Sequence, residues 1–172
     1  SMDQLQRMFT VQFLMAEALC LLVWFLADRT FGRRAGWIAF LVASLAPPLF
    51  EYNGFVLAEP PFAFLVLVGT ALAWKGLRSD SPALFALSGL AFGLSASFKS
   101  VGLLAGLALL PALLFPVTRR RLFHGVALVW GLALAVIPAC RVATELNGGR
   151  FLLLSNDVFR LALVNCEEPL GV

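Results

Sequence analysis

The sequence predicts an all-α fold, a polytopic bundle of about six membrane-spanning helices followed by a partly structured external tail. Three features carry that expectation. Of the 172 residues 60% are hydrophobic and only 13% charged, and the mean hydropathy is +0.90. A soluble domain carries roughly 25% charged residues. The apolar residues also fall in runs long enough to cross a hydrocarbon core about 30 Å thick. Finally, the bases gather between the runs, in the groups Arg29/Arg33/Arg34, Lys75/Arg78 and Arg119/Arg120/Arg121. Such groups would suit a nucleic-acid patch on a soluble protein, but between apolar runs they are short cytoplasmic connections, so no nucleic-acid partner is expected.

Met8–Ala27 is the first expected span, interrupted by Gln12 and Glu17. Residues 37–50 form a short second span that ends on Pro47-Pro48, where a helix kinks or breaks. The break "EYNGFVLAEPP" then places Glu51 and Glu59 at the edge of the bilayer. The third span, 58–74, opens on Glu59-Pro60-Pro61; proline is tolerated in a first helical turn, and an acid there complements the helix dipole.

The 35 residues from Ala83 to Val117 hold one charge, Lys99. As one helix they would be about 52 Å long, too long for a single crossing. A hairpin of spans 83–98 and 101–117, turning at Phe98-Lys99-Ser100, resolves this. The same hairpin puts the three basic groups, eight of the thirteen bases, in alternate connections on one side. The sixth span is 122–140. Residues 1–146 are thus the transmembrane region. The segment 147–172, opened by the turn signal Asn147-Gly148-Gly149, is an external segment over a cavity and is expected to be truncated.

Several polar residues admit two readings. Glu59 is either a helix-start acid or a cavity acid, and Glu51 is either a solvated loop residue or a second cavity acid. Lys99 either snorkels to lipid phosphates or binds the phosphate of a lipid-linked substrate, and Arg141, at the outer end of the sixth span, invites the same pair. Glu17, halfway along its span, requires a partner or a proton; a protonated, hydrogen-bonded structural Glu is favoured. Cys20, Cys140 and Cys166 share no metal-ligand spacing. His124, the one histidine, sits beside an Arg cluster, and no nucleophile–His–acid set can be built on the external side.

The ordered features resemble a family. "RTFGRRAGWIAFLVASLAPPLFEYNGFVLAEPPFAFLVL" is similar to a stretch of the polyprenyl-phosphate-dependent glycosyltransferases of GT-C type, which include protein O-mannosyltransferases and the lipid A aminoarabinose transferase. The matching pieces are a Phe-Gly-Arg-Arg turn, a span ending in a proline-bearing segment, a helix start Ala58-Glu59-Pro60, and a helical hairpin with a cation at its tip. At that tip the family often has Thr-Arg-Pro, where this chain has Phe98-Lys99-Ser100. The tail "LLLSNDVFRLALVNCEEPLGV" resembles the family's Ser-Asn-rich external stretch and makes Asn156 a substrate-binding candidate.

The resemblance implies an integral protein of the bacterial inner membrane whose site faces the periplasm or exterior. A sugar would pass there from a lipid-linked polyprenyl-phosphate donor to an acceptor, with membrane lipid as the other partner. It also implies that Lys99 and Arg141 hold the carrier phosphate and that Glu59 is a cavity acid, orienting the acceptor or holding a divalent metal if one is used. No residue is assigned as catalytic base or as metal ligand. The family's catalytic Asp lies in a first external loop, after a span that precedes the helix starting near Met8, so an internal fragment is expected. The alternatives are part of a multi-spanning transporter, with Glu17 as coupling acid, and a non-enzymatic membrane assembly protein.

Overall fold

The computed structural model describes residues 2–46, 58–99, 101–114 and 119–146. Seven helices and no strands occur among them: α1 (Met2–Phe31), α2 (Arg33–Ser44), α3 (Glu59–Ser79), α4 (Pro82–Ala96), α5 (Val101–Leu107), α6 (Leu109–Leu114) and α7 (Arg119–Leu146). Three are long and apolar enough to cross a membrane, over Gln6–Phe31, Glu59–Ser79 and Arg120–Glu145. Shorter apolar helices, Pro82–Ala96 and Val101–Pro111, take up the expected hairpin. The fold is therefore the all-α, membrane-spanning one the composition requires.

Several boundaries differ from the sequence reading. The first helix begins at Met2, six residues before the expected start of the first span at Met8. The expected Arg29–Arg34 loop shrinks to Gly32 alone, at φ 92°, because glycine reverses the chain without a Cβ penalty. The return arm of the hairpin is two pieces, α5 and α6, interrupted at Ala108. The last helix runs on past Cys140 to Leu146 with Pro138 inside it. At about 42 Å it exceeds the hydrocarbon thickness, so its charged ends lie outside the apolar layer.

The chain forms two compact units, Ser1–Val68 and Gly69–Val172. In the first, α1 and α2 pack through Gly36, where a Cβ would come within 2.9 Å of the Asp28 Cβ. Trp24 and Trp37 meet nearby with ring centroids 5.9 Å apart. Ala16 and Cys20 are buried on α1, whereas Glu17 is exposed, so the expected internal site for its carboxyl is not formed among the described residues of this unit.

The second unit is held by α4. Its Phe85, Ser88, Phe92 and Ser95, with Leu128 of α7, are the largest fully buried side chains among the described residues. The Ser88 hydroxyl donates to the Gly69 carbonyl of α3 at 2.7 Å, which satisfies a polar group inside an apolar layer. Gly69 and Gly76 of α3 accommodate the Phe92 and Phe85 rings at 3.0 and 3.1 Å from where a Cβ would stand.

Glycines also let α4 and α7 approach backbone to backbone. A Cβ on Gly89 would overlap the Leu128 carbonyl oxygen, and one on Gly131 would overlap the Ala86 carbonyl oxygen. Without a hydrophobic driving force between helices in lipid, this close packing of small residues is what joins them. Contacts advance together along both helices, from Asp80–Arg120 through Phe85–His124 to Gly93–Ala135, so α4 and α7 run parallel. A parallel pair needs a return crossing between its members, which α5 and α6 provide.

Candidate functional site

Lys99 sits at the tip of the α4–α5 hairpin. The Ser95 carbonyl accepts from both the Phe98 and the Lys99 amides, at 3.0 and 3.1 Å, and the Gly102 amide donates to the Lys99 carbonyl at 2.9 Å. A side chain on Gly102 would collide with the Ser95 hydroxyl, which itself donates to the Phe92 carbonyl at 2.7 Å. The turn is thus fixed by backbone bonds and a glycine, none of which needs an ammonium. Lys99 is half-buried and engaged by a neighbour.

Arg141 lies exposed on α7, within the helix rather than at its end. It lines a hollow of about 540 Å³ together with Val136, Ile137, Cys140, Thr144 and Glu145. Thr144 and Glu145 were not foreseen, although their spacing of three and four residues from Arg141 puts them on its face. Cys140 is a free, half-buried thiol, and the Thr144 hydroxyl donates to its carbonyl at 2.7 Å. The parallel register that joins Gly93 to Ala135, continued by roughly one and a half turns, brings the Lys99 turn level with residues 139–141. Lys99 and Arg141 therefore occupy the same end of the second unit.

Glu59 is the first residue of α3, half-buried, and belongs to the first unit. An acid at this position complements the helix dipole, and Glu59 is not without an interaction of its own. Glu51 and Asn156 lie outside the described residues. Among the described residues no group of three or more His, Cys, Asp and Glu side chains converges to hold a metal ion.

The opposite end of the second unit carries a cluster that sequence reasoning missed. Asp80 follows α3 in a left-handed conformation, φ 52°, while the Ser81 amide donates to the Gly76 carbonyl at 3.2 Å; together these make a Schellman closure. Its carboxylate accepts from Arg120 Nη1 at 3.2 Å and lies 3.3 Å from His124 Nε2. His124 is buried and stacks on Phe85, with centroids 4.7 Å apart. Arg78 lies over Trp74 at 4.1 Å on the same helix end. The second and third basic groups thus share one end of the unit, the arrangement the hairpin parity demanded, and Lys99 lies at the other.

No curated protein and no solved structure matches the chain. Its sequence does match the profile of the dolichyl-phosphate-mannose-protein mannosyltransferases over residues 1–143, which takes in Glu59, Lys99 and Arg141 and stops short of Asn156. A Phe-Gly-Arg-Arg turn, a Glu-Pro helix start and a cation-tipped hairpin in one helical membrane chain are explained together by that match: the chain belongs to the dolichyl-phosphate-mannose-protein mannosyltransferase family.

Proposed function

We propose that this chain is part of an integral membrane glycosyltransferase that moves a sugar from a polyprenyl-phosphate carrier to an acceptor on the non-cytoplasmic face. The family match over residues 1–143 is the observation that carries the reading. The shared end of Lys99 and Arg141 supports their assignment to the carrier phosphate. A leaving phosphate gains negative charge as the glycosidic bond breaks, and cations fixed in a low-dielectric site stabilise that charge more in the transition state than in the ground state. The backbone-locked hairpin holds Lys99 in place before the donor arrives, so little reorganisation is needed. Glu59 is assigned as a cavity acid that orients the acceptor, and Asn156 as a further substrate contact. No residue is assigned as the catalytic base.

Transfer from a radiolabelled polyprenyl-phosphate sugar by the reconstituted full-length enzyme that contains this chain tests this. Lys99→Ala should lower kcat/KM for the donor about ten- to hundredfold, the range of one charge-assisted hydrogen bond, with thermal stability little changed. Unaltered donor kinetics in that variant would remove Lys99 from the site. Absence of transfer by the complete wild-type enzyme from any polyprenyl-phosphate sugar would remove the function itself.

A further inference from the structure

Glu17 lies close to the midpoint of the span Gln6–Phe31, yet its side chain is exposed and no described residue pairs with it. An ionisable group at that depth persists in a bilayer against a polar partner or a wet cavity, not against lipid tails. The buried stripe of α1, formed by Gln12, Ala16 and Cys20, lies about a quarter turn away round the helix and leaves Glu17 outside it. Around Glu17 the face is open and apolar. Phe13 and Leu21 stand one turn to either side and Leu14 beside it, each between 51% and 60% exposed. Thr10, Leu14, Glu17 and Leu21 follow one another at spacings of four, three and four residues. That alternation keeps one seam of a helix against its partner in a left-handed pair.

The chemistry of the carboxyl selects the partner. Every base in residues 1–146 lies toward a helix end or in a turn, so a second copy of this chain brings no cation to mid-depth. It brings another Glu17. A carboxylic acid donates through its O–H and accepts through its carbonyl oxygen, so it is complementary to itself. Two copies inserted in one membrane share an orientation, and a two-fold axis along the membrane normal sets equivalent residues opposite each other at one level. We infer that the face of α1 formed by Thr10, Leu14, Glu17 and Leu21 joins two copies of this chain within the membrane. Each Glu17 carboxyl donates to the other across the axis, and Phe13, Leu14 and Leu21 pack around the pair. Between helices in lipid, where apolar side chains gain nothing by leaving the tails, such a hydrogen bond supplies the specific attraction. The interface does not rest on the glycosyltransfer reading.

Cross-linking and association of the complete enzyme in liposomes test this. In a protein without its native cysteines, Leu14→Cys and Leu21→Cys should each give a disulfide-linked dimer on oxidation with copper phenanthroline. Leu134→Cys, exposed to the same degree at the middle of the α7 span, should not. Association is read by energy transfer between donor- and acceptor-labelled copies as the protein is diluted with lipid. Glu17→Leu should weaken it about five- to thirtyfold, the range of an interhelical hydrogen bond in model membrane peptides. Glu17→Gln, whose amide also donates and accepts, should hold it near wild type. A wild-type protein without energy transfer at any dilution would overturn the inference, as would association that Glu17→Leu leaves unchanged. Cross-links from position 134 but not from 14 and 21 would overturn it too, and so would cross-links from 14 and 21 to a different polypeptide.

Discussion

At the residue scale, Asp80 combines two roles that substitution can separate. Its left-handed backbone costs a β-carbon-bearing residue roughly 1 kcal/mol, and its carboxylate meets Arg120 and the buried His124. Glycine removes the backbone cost together with both contacts, whereas alanine removes only the contacts. Asp80→Ala should therefore be less stable than Asp80→Gly by about 1 kcal/mol. Asp80→Asn, which tolerates the conformation and retains an acceptor, should lie closest to wild type. Thermal unfolding in detergent gives the order, and equal stability of the Ala and Gly variants would show that the left-handed turn is not what the site requires. Arg120 is 84% exposed, so Arg120→Ala should cost no more than about 1 kcal/mol. None of this was legible in the sequence, because Asp80 and His124 are 44 positions apart and meet only through the packing of α4 on α7.

At the element scale, the glycines between α4 and α7 make a sharper claim. Gly89 and Gly131 each face a backbone carbonyl of the other helix, which cannot swing away as a side chain would. Gly89→Ala and Gly131→Ala should each destabilise the second unit by about 1–3 kcal/mol, the usual range for overpacking. Gly32→Ala, with open space around its Cβ, should cost only the strain of a positive φ. Unfolding in a mixed-micelle denaturant titration would compare them, and a Gly131→Ala variant as stable as wild type would disprove the close approach. The hairpin was legible because a run of 35 residues with a single charge is too long to cross once. Its unequal arms trace to Pro111, whose missing amide cannot donate to the Leu107 carbonyl: α4 is continuous, but the return is split at Ala108.

At the scale of the whole molecule, the second unit has one end marked by Lys99 and Arg141 and another marked by Arg78, Asp80 and Arg120. In a protein without its native cysteines, single cysteines at positions 99 and 141 should be labelled from one side of the membrane by an impermeant reagent. Those at 78 and 120 should be labelled from the other. Labelling of positions 99 and 120 from the same side would contradict the parallel course of α4 and α7. The charge pattern further expects position 59 to label with 99, since the acid-bearing break and the lysine-tipped turn alternate with the basic connections.

Composition and the spacing of charges by themselves determined that the chain is an all-α membrane protein, where its apolar runs divide, and that Lys99 tips a hairpin. These are consequences of a bilayer's thickness and of the cost of burying charge, which act on local sequence alone. Only the tertiary structure decided that α4 and α7 lie parallel, that Lys99 and Arg141 share an end, that His124 is buried against Phe85 and held by Asp80, and that Glu17 faces outward. Those relations depend on which helix faces which neighbour, and in an apolar chain that choice is made by small residues and close packing, to which hydropathy is blind.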